Sequence, residues 1–161
     1  MEERTDIVTK PTGFADWTGL LALLRESYAF MDGRIDPSSS LHRFNAAKLA
    51  AKARDEELVL AFVNSELAGC LFAAPRKDSF YLGKIAVRPG LQGRGLARRM
   101  IALAEAGARS RNLKSLDLQT RIELTENHRA FVALGFAKVG ETCHAGFTRP
   151  TSVTFRKTLS A

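Results

Sequence analysis

An apolar strand pattern, Tyr81-Leu82-Gly83-Lys84-Ile85-Ala86-Val87, runs through Arg88-Pro89-Gly90 into Leu91-Gln92-Gly93-Arg94-Gly95, and a helical pattern opens at Leu96-Ala97-Arg98-Arg99. Glycines at these spacings let the backbone turn tightly enough for successive N–H groups to converge on one point. The helix that follows adds unpaired N–H groups and the positive end of its dipole. Together they form a cradle for an anion, with phosphate the best match.

Two familiar phosphate loops do not fit. A P-loop needs Lys and then Ser or Thr after its last glycine, whereas Leu96 and Ala97 follow Gly95. The dinucleotide fingerprint is closer, since Gly93-x-Gly95 opens a helix after a strand, but Arg98 occupies the third glycine position. Only about 40 residues then follow Asp117, too few for the rest of a doubly wound sheet.

The elements that would position the loop can be read from periodicity. Residues 5–10 form a first short strand, and Asp16 caps a helix with Trp17, Leu20, Leu21, Leu24 and Tyr28 on one face. Gly33 and Pro37 end it. Ser38 to Ser40 offer caps for a second helix over 41–54. Leu58 to Val63 is continuously apolar, as in a strand covered on both faces. Asn64-Ser65-Glu66 turns it into a return strand over 67–74, and a third strand covers 80–87. After the cradle helix, Leu116 and Leu118 alternate with Ser115, Asp117 and Gln119 in a strand over 114–120. Thr125 caps a short helix through Ala133 that Gly135 closes, and strands over 136–143 and 152–159 complete the chain. The order β-α-α-β-β-β-α-β-α-β-β describes one α/β domain over residues 1–161, with a mixed sheet of about six or seven strands.

Composition bounds the reading. With 161 residues, 45% of them hydrophobic and 25% charged, the chain can bury a full core. No apolar run approaches the roughly 18–20 residues of a membrane span. Met1 to Lys10 lacks an apolar signal core, and a cytoplasmic location is expected. Cys70 and Cys143 lack metal spacing and are expected to be packed thiols. A net charge of +7 suits a polyphosphate cofactor or general solubility. Scattered Lys and Arg without an aromatic platform argue against specific nucleic-acid binding.

The strand Ile85-Ala86-Val87, the Arg88-Pro89 turn, Gln92-x-x-Gly95-x-Ala97 and the later Leu134-Gly135-Phe136 resemble the GNAT superfamily of acyl-CoA-dependent N-acyltransferases. The resemblance extends over the element order of nearly the whole chain and implies a splayed central strand pair. It implies acetyl transfer from acetyl-CoA, without a metal, to a primary amine of a small molecule or peptide by direct attack in a ternary complex. A non-catalytic acyl-CoA sensor or interaction module on the same fold is the alternative. A homodimer is compatible with either.

By that resemblance, backbone groups of Ile85, Ala86 and Val87 hold the pantetheine arm, and the N–H groups from Gln92 through Gly93, Arg94, Gly95 and Leu96 to Ala97 hold the pyrophosphate. Arg94, Arg98 and Arg99 are phosphate contacts or a solvated helix face. Asn127 is a candidate for the pantetheine arm, although it lies closer to Gly135-Phe136 than the family pattern has it. Many relatives carry a Tyr, the acid for the departing thiolate, where this chain has Phe131, which has no proton to give and is read as packing beside the thioester. The acceptor pocket is assigned to the segment containing Tyr28, Asp32 and Arg34 and to the loop with His144, each also readable as an ordinary connection. No general base is assigned. Asp117, Glu123, Glu126 and His144 are candidates by type alone.

Overall fold

The structure, a computed structural model, describes residues 2–160. It contains β1 (Thr5–Thr9), α1 (Trp17–Tyr28), α2 (Ala46–Asp55), β2 (Glu57–Val63), β3 (Glu66–Pro75), β4 (Ser79–Val87), α3 (Leu96–Ser110), β5 (Ser115–Arg121), α4 (Thr125–Ala133), β6 (Ala137–Thr142) and β7 (Ser152–Thr158). The strands form one sheet in the order β1-β2-β3-β4-β5-β7-β6. Only β4 and β5 pair in parallel, as a pair joined by a crossover helix must.

Local chemistry explains most boundaries. The Asp16 carboxylate accepts from the Gly19 N–H at 3.0 Å and starts α1. Asn64 and Ser65 both take the left-handed conformation, at φ 50° and 66°, giving β2 and β3 the two-residue turn that matches strand twist. The second helix departs from the sequence reading. Residues Ser40–Arg43 form a short 3₁₀ turn capped by Ser39, and α2 starts only after Asn45, whose side chain accepts from the Lys48 N–H at 2.8 Å. Nor does Thr125 cap α4. It is the first helical residue, with Leu124 at the cap position and no side-chain cap bond.

Both faces of the sheet are covered. Met100, Ile101, Ala104 and Ala108 of α3 pack on Val59, Leu71, Phe80, Leu82 and Leu116, with Phe131 of α4 alongside. Leu20, Leu23 and Leu24 of α1 and Leu49 of α2 pack on Leu58, Leu60, Cys70, Phe72 and Ala86 from the other side. Cys70 is packed as expected, but Cys143 is exposed, because β6 ends at Thr142 and leaves it in the loop beyond the strand.

The central feature is where β4 and β5 part. They pair from Ser79 opposite Ser115 to Leu82 opposite Leu118 and no further. Beyond this point β4 stays with β3, where Cys70 faces Ala86 and Gly69 faces Val87, while β5 stays with β7 as far as Arg121. An extra β4 residue between the Phe72–Gly83 and Cys70–Ala86 pairs makes a bulge, and Lys84 there adopts φ 49°.

Below the parting, Asp117 is buried and receives two hydrogen bonds from Arg156 at 2.9 Å each and one from Ser115 at 3.0 Å. Burial alone would raise its pKa, but the Arg156 and Ser115 hydrogen bonds outweigh it and hold the carboxyl below its ordinary value. Asp117 is therefore a clasp between β5 and β7. A carboxyl with a lowered folded-state pKa stabilises the fold above its unfolded value, and that contribution disappears as pH falls through the folded value. Asp117→Asn is expected to lower the unfolding free energy by about 1 kcal/mol at neutral pH, the modest size reflecting the half-exposed Arg156. In denaturant titrations the deficit should shrink as pH falls below about 4. A deficit unchanged down to pH 2 would mean that packing alone is lost.

Candidate active site

Where β4 and β5 separate, the structure holds a cleft of about 1160 Å³. Its walls include Ser27 and Tyr28 of α1, Gly83 to Val87 of β4, Leu118 to Arg121 of β5, Asn127 and Phe131 of α4, and His144. The sequence-predicted residues Tyr28, Arg34, Ile85, Ala86, Val87, Gln92, Asn127, Phe131 and His144 thus meet around one space.

The strand edge in this cleft is partly occupied. Arg88 donates to the Ala68 carbonyl at 2.7 Å, so by strand alternation Ala86 also faces β3, and the polar groups of Ile85 and Val87 face the gap. Their carbonyls have partners already. The Tyr28 hydroxyl donates to the Ile85 carbonyl at 3.0 Å, the Ser27 hydroxyl donates to that of Val87 at 3.2 Å, and the Gln92 amide approaches the latter at 3.4 Å. By the same alternation the N–H groups of Ile85 and Val87 lie on the gap side of the edge. Burial, with Cys70 nearby, raises the Tyr28 pKa well above its usual range, so the phenol stays protonated as the donor to Ile85.

At the end of β4 the loop turns on its glycines and leads directly into α3. Gly93 and Gly95 take φ 81° and 80°, which an L side chain rarely adopts. Gly95 is the cap position of α3, and the first helical bond runs from the Arg99 N–H to the Gly95 carbonyl at 3.0 Å. The Leu96, Ala97 and Arg98 N–H groups therefore have no intrahelical acceptor and form the open positive end of the helix. A Cβ built on Gly93 or Gly95 would meet nothing within 4 Å, so the protein leaves that side of the loop vacant. Arg94 is committed to Glu3 in an ion pair, and Arg98 reaches the Ala133 carbonyl at 3.3 Å.

The acceptor-side residues are held by charge. Arg34 pairs with Glu126 at 2.7 Å. The Asp36 N–H donates to Glu123 at 3.0 Å, and Arg149 pairs with the Asp36 carboxylate at 3.1 Å. Arg121 donates to the carbonyls of Pro37 and Ser38 at 2.6 and 3.0 Å. Asp32, expected in the pocket, is not part of the cleft wall and instead meets His42 at 3.1 Å. Met31 before it and Arg34 after it do line the cleft. His144 shares its Nδ1 with the Thr151 hydroxyl, and burial, with Arg121 nearby, lowers its pKa so that the ring is neutral near pH 7. Among the base candidates, Asp117 is a sheet clasp, Glu126 is tied to Arg34, and Glu123 lies behind the cleft wall.

Sequence reasoning missed Ser27, Lys52, Lys84 and Arg121, which all line the cleft. Lys84 had a signal: it is the lone charge inside the apolar pattern Tyr81-Leu82-Gly83-Lys84-Ile85-Ala86-Val87, directly after a glycine.

A parallel strand pair that parts beside a glycine-capped helix frames this cleft. Residues 17–136 match the Acetyltransferase (GNAT) family, and the chain belongs to it. The fold is similar to that of the ribosomal-protein-S18-alanine N-acetyltransferase of Escherichia coli, at 17% identity and TM-score 0.72 over 98% of this chain and 96% of that one. It is also similar to the PaiA N-acetyltransferase of Thermoplasma acidophilum, solved with coenzyme A, at 15% identity and TM-score 0.79 over 96% and 99%. A GNAT acetyltransferase of Elizabethkingia anophelis, solved with acetyl-CoA, matches at 18% and 0.68 over 96% and 98%. No curated protein matches the sequence significantly.

Gly95→Val tests the loop. A branched residue at φ 80° is strained, and its side chain enters the side the protein leaves vacant. Calorimetric affinity for CoA should fall at least about tenfold, or roughly 1.4 kcal/mol, with the fold retained. Wild-type affinity in a folded variant would remove the loop from the site.

Proposed function

We propose that this protein transfers an acetyl group from acetyl-CoA to a primary amine of a small molecule or peptide, by direct attack of the amine within a ternary complex. The observation that carries the reading is the parting of β4 from β5 directly before the open N-terminus of α3. The N–H groups of Leu96 to Arg98 suit the pyrophosphate. The N–H groups of Ile85 and Val87 suit the pantetheine arm as a strand edge suits a peptide, and the Val87 N–H is the donor placed to polarise the thioester carbonyl. Asn127, with its amide 3.5 Å from the Thr120 hydroxyl, borders the same path. The cytoplasmic location expected from the sequence goes with this reading.

In the reaction the amine lone pair attacks the thioester carbon, the C–S bond breaks, and the thiolate leaves. The side chains of this chain contribute position more than proton transfer. Phe131 lies 5.9 Å from Phe136 and 6.2 Å from Phe155, ring centre to ring centre, in an aromatic group that backs the cleft. It has no proton for the sulfur, so solvent or the attacking amine supplies it. An acyl-cysteine route has little support. Cys70 is buried, its thiol donates to the Lys84 carbonyl at 3.3 Å, and burial pushes its pKa up to about 12, far from a ready thiolate. Cys143 is exposed and outside the cleft wall.

Two measurements check this reading. Incubation with acetyl-CoA alone should leave the protein mass unchanged, whereas addition of a productive amine should release free thiol. A cysteine adduct that turns over would replace direct attack with a two-step route, and silence across polyamines, aminoglycosides, amino acids and peptides would favour a binding module. Phe131→Ala should lower stability by about 2 kcal/mol or more through the cavity it leaves, without altering the shape of the pH–rate profile. Abolished turnover with CoA affinity, acceptor affinity and stability intact would give Phe131 a chemical role.

A further inference from the structure

Five basic side chains line the cleft, Arg34, Arg43, Lys52, Lys84 and Arg121, against two acidic ones, Glu26 and Glu126. Three of the five are engaged: Arg34 by Glu126, Lys52 by Glu56 at 2.6 Å, and Arg121 by two backbone carbonyls. Lys84 is different. Its ammonium lies 3.9 Å over the centre of the Phe44 ring. Among the described residues no carboxylate lies within ion-pairing distance of it, and no oxygen accepts a hydrogen bond from it. An ammonium has three donors. These open on the cleft without protein acceptors, where they are available to an oxyanion.

The backbone reinforces the point. Lys84 occupies the bulge of β4 at φ 49°, a conformation uncommon for a residue with a side chain, immediately before the Ile85–Val87 edge. The bulge sends the side chain toward Phe44, which packs with α1 and α2, and Arg43 lines the same wall one residue earlier. The phosphates of CoA, in the reading above, sit at the opposite end of this strand segment.

We infer that the acceptor amine carries an anionic oxygen group, a carboxylate or a phosphate, and that Lys84, assisted by Arg43, receives it. The inference rests on the acetyl-transfer reading and adds the chemical class of its acceptor. The charged and titratable groups that act on Lys84 are Lys52 of α2, Glu56 just past its end and Cys70 of β3, with the Phe44 ring against the ammonium. Burial first, and Lys52 second, lower the Lys84 pKa to about 8, against the opposing pull of Cys70 and Glu56. The ammonium is thus charged at neutral pH and loses its charge just above it.

The test uses matched acceptors that differ only in the anion: glycine and glycinamide, β-alanine and its amide, O-phosphoethanolamine and ethanolamine. In each case kcat/KM is measured by thiol release with wild type, Lys84→Met and Lys84→Arg, after CoA calorimetry shows that each variant is folded. Comparing the anionic-to-neutral ratio between proteins cancels differences in amine reactivity. Wild type should favour the anionic member of at least one pair, and the carboxylate and phosphate pairs tell which oxyanion is read. Lys84→Met should reduce that preference at least about tenfold, through KM, and Lys84→Arg should retain most of it. The wild-type preference, taken relative to that of Lys84→Met with the same acceptors, should decline as pH rises through about 8, since kcat/KM reports the free enzyme. Equal rates within every pair, turnover of neutral members alone, or a preference that survives in Lys84→Met overturns the inference while acetyl transfer stands. No turnover with any acceptor overturns both.

Discussion

The seven strands form one sheet because β4 and β5 hold each other from Ser79–Ser115 to Leu82–Leu118, and past that point each is held by its outer neighbour alone. A sheet interrupted in this way exposes backbone groups that would ordinarily pair, and buried groups of that kind are costly. Ser27 and Tyr28 at the end of α1 resolve the conflict by donating hydroxyls to the Val87 and Ile85 carbonyls. Those bonds compete with any closing of β5 onto β4, so the first helix keeps the gap open as well as covering the sheet. The length of α1, the bulge at Lys84 and the site all follow from the same need.

The two ends of the cleft rest on different kinds of interaction. At the α3 end the binding groups are backbone N–H donors fixed by the φ of Gly93 and Gly95. Their geometry is set once the chain turns, and no side-chain rotamer has to be frozen. At the opposite end the wall is composed of side chains, with Arg34, Arg121, Glu126 and Lys84 drawn from four separate stretches of the chain. A fixed carrier end and a side-chain acceptor end let one backbone framework accommodate different acceptors.

The difference also decides what could be read from the sequence. The turns of the loop and the start of α3 were legible because their chemistry is local: glycine spacing and a following helical pattern specify them within about one helical turn on either side. The order of elements along the chain was legible from periodicity, and Asp16 and the Asn64–Ser65 turn carry their own signatures. The start of α2 was misplaced because Ser38 to Ser40 resemble caps, whereas Ser39 caps only a 3₁₀ turn and Asn45 is the true helix start. The acceptor wall was legible only in part. Asp117 looked like a candidate base until Arg156, far along the chain, was seen to clasp it. Asp32 looked like pocket lining, but its carboxylate meets His42 outside the cleft wall, while Met31 and Arg34 on either side of it line the cleft. Lys84 announced itself as a charge in an apolar strand, but the bulge that redirects it depends on pairing with β3.

The connection from Arg34 to Ser38 crosses the acceptor side without burying a large apolar face, anchored instead by Glu126, Glu123, Arg121 and Arg149. Ion pairs between exposed groups weaken as dissolved salt shortens the reach of each charge, while hydrogen bonds inside a sheet barely respond. Ionic strength therefore acts unequally on the two halves of this molecule. It loosens the connection from Arg34 to Ser38 and leaves the paired strands as they were, so under the acetyl-transfer reading the residence of an acceptor is coupled to the composition of the surrounding medium.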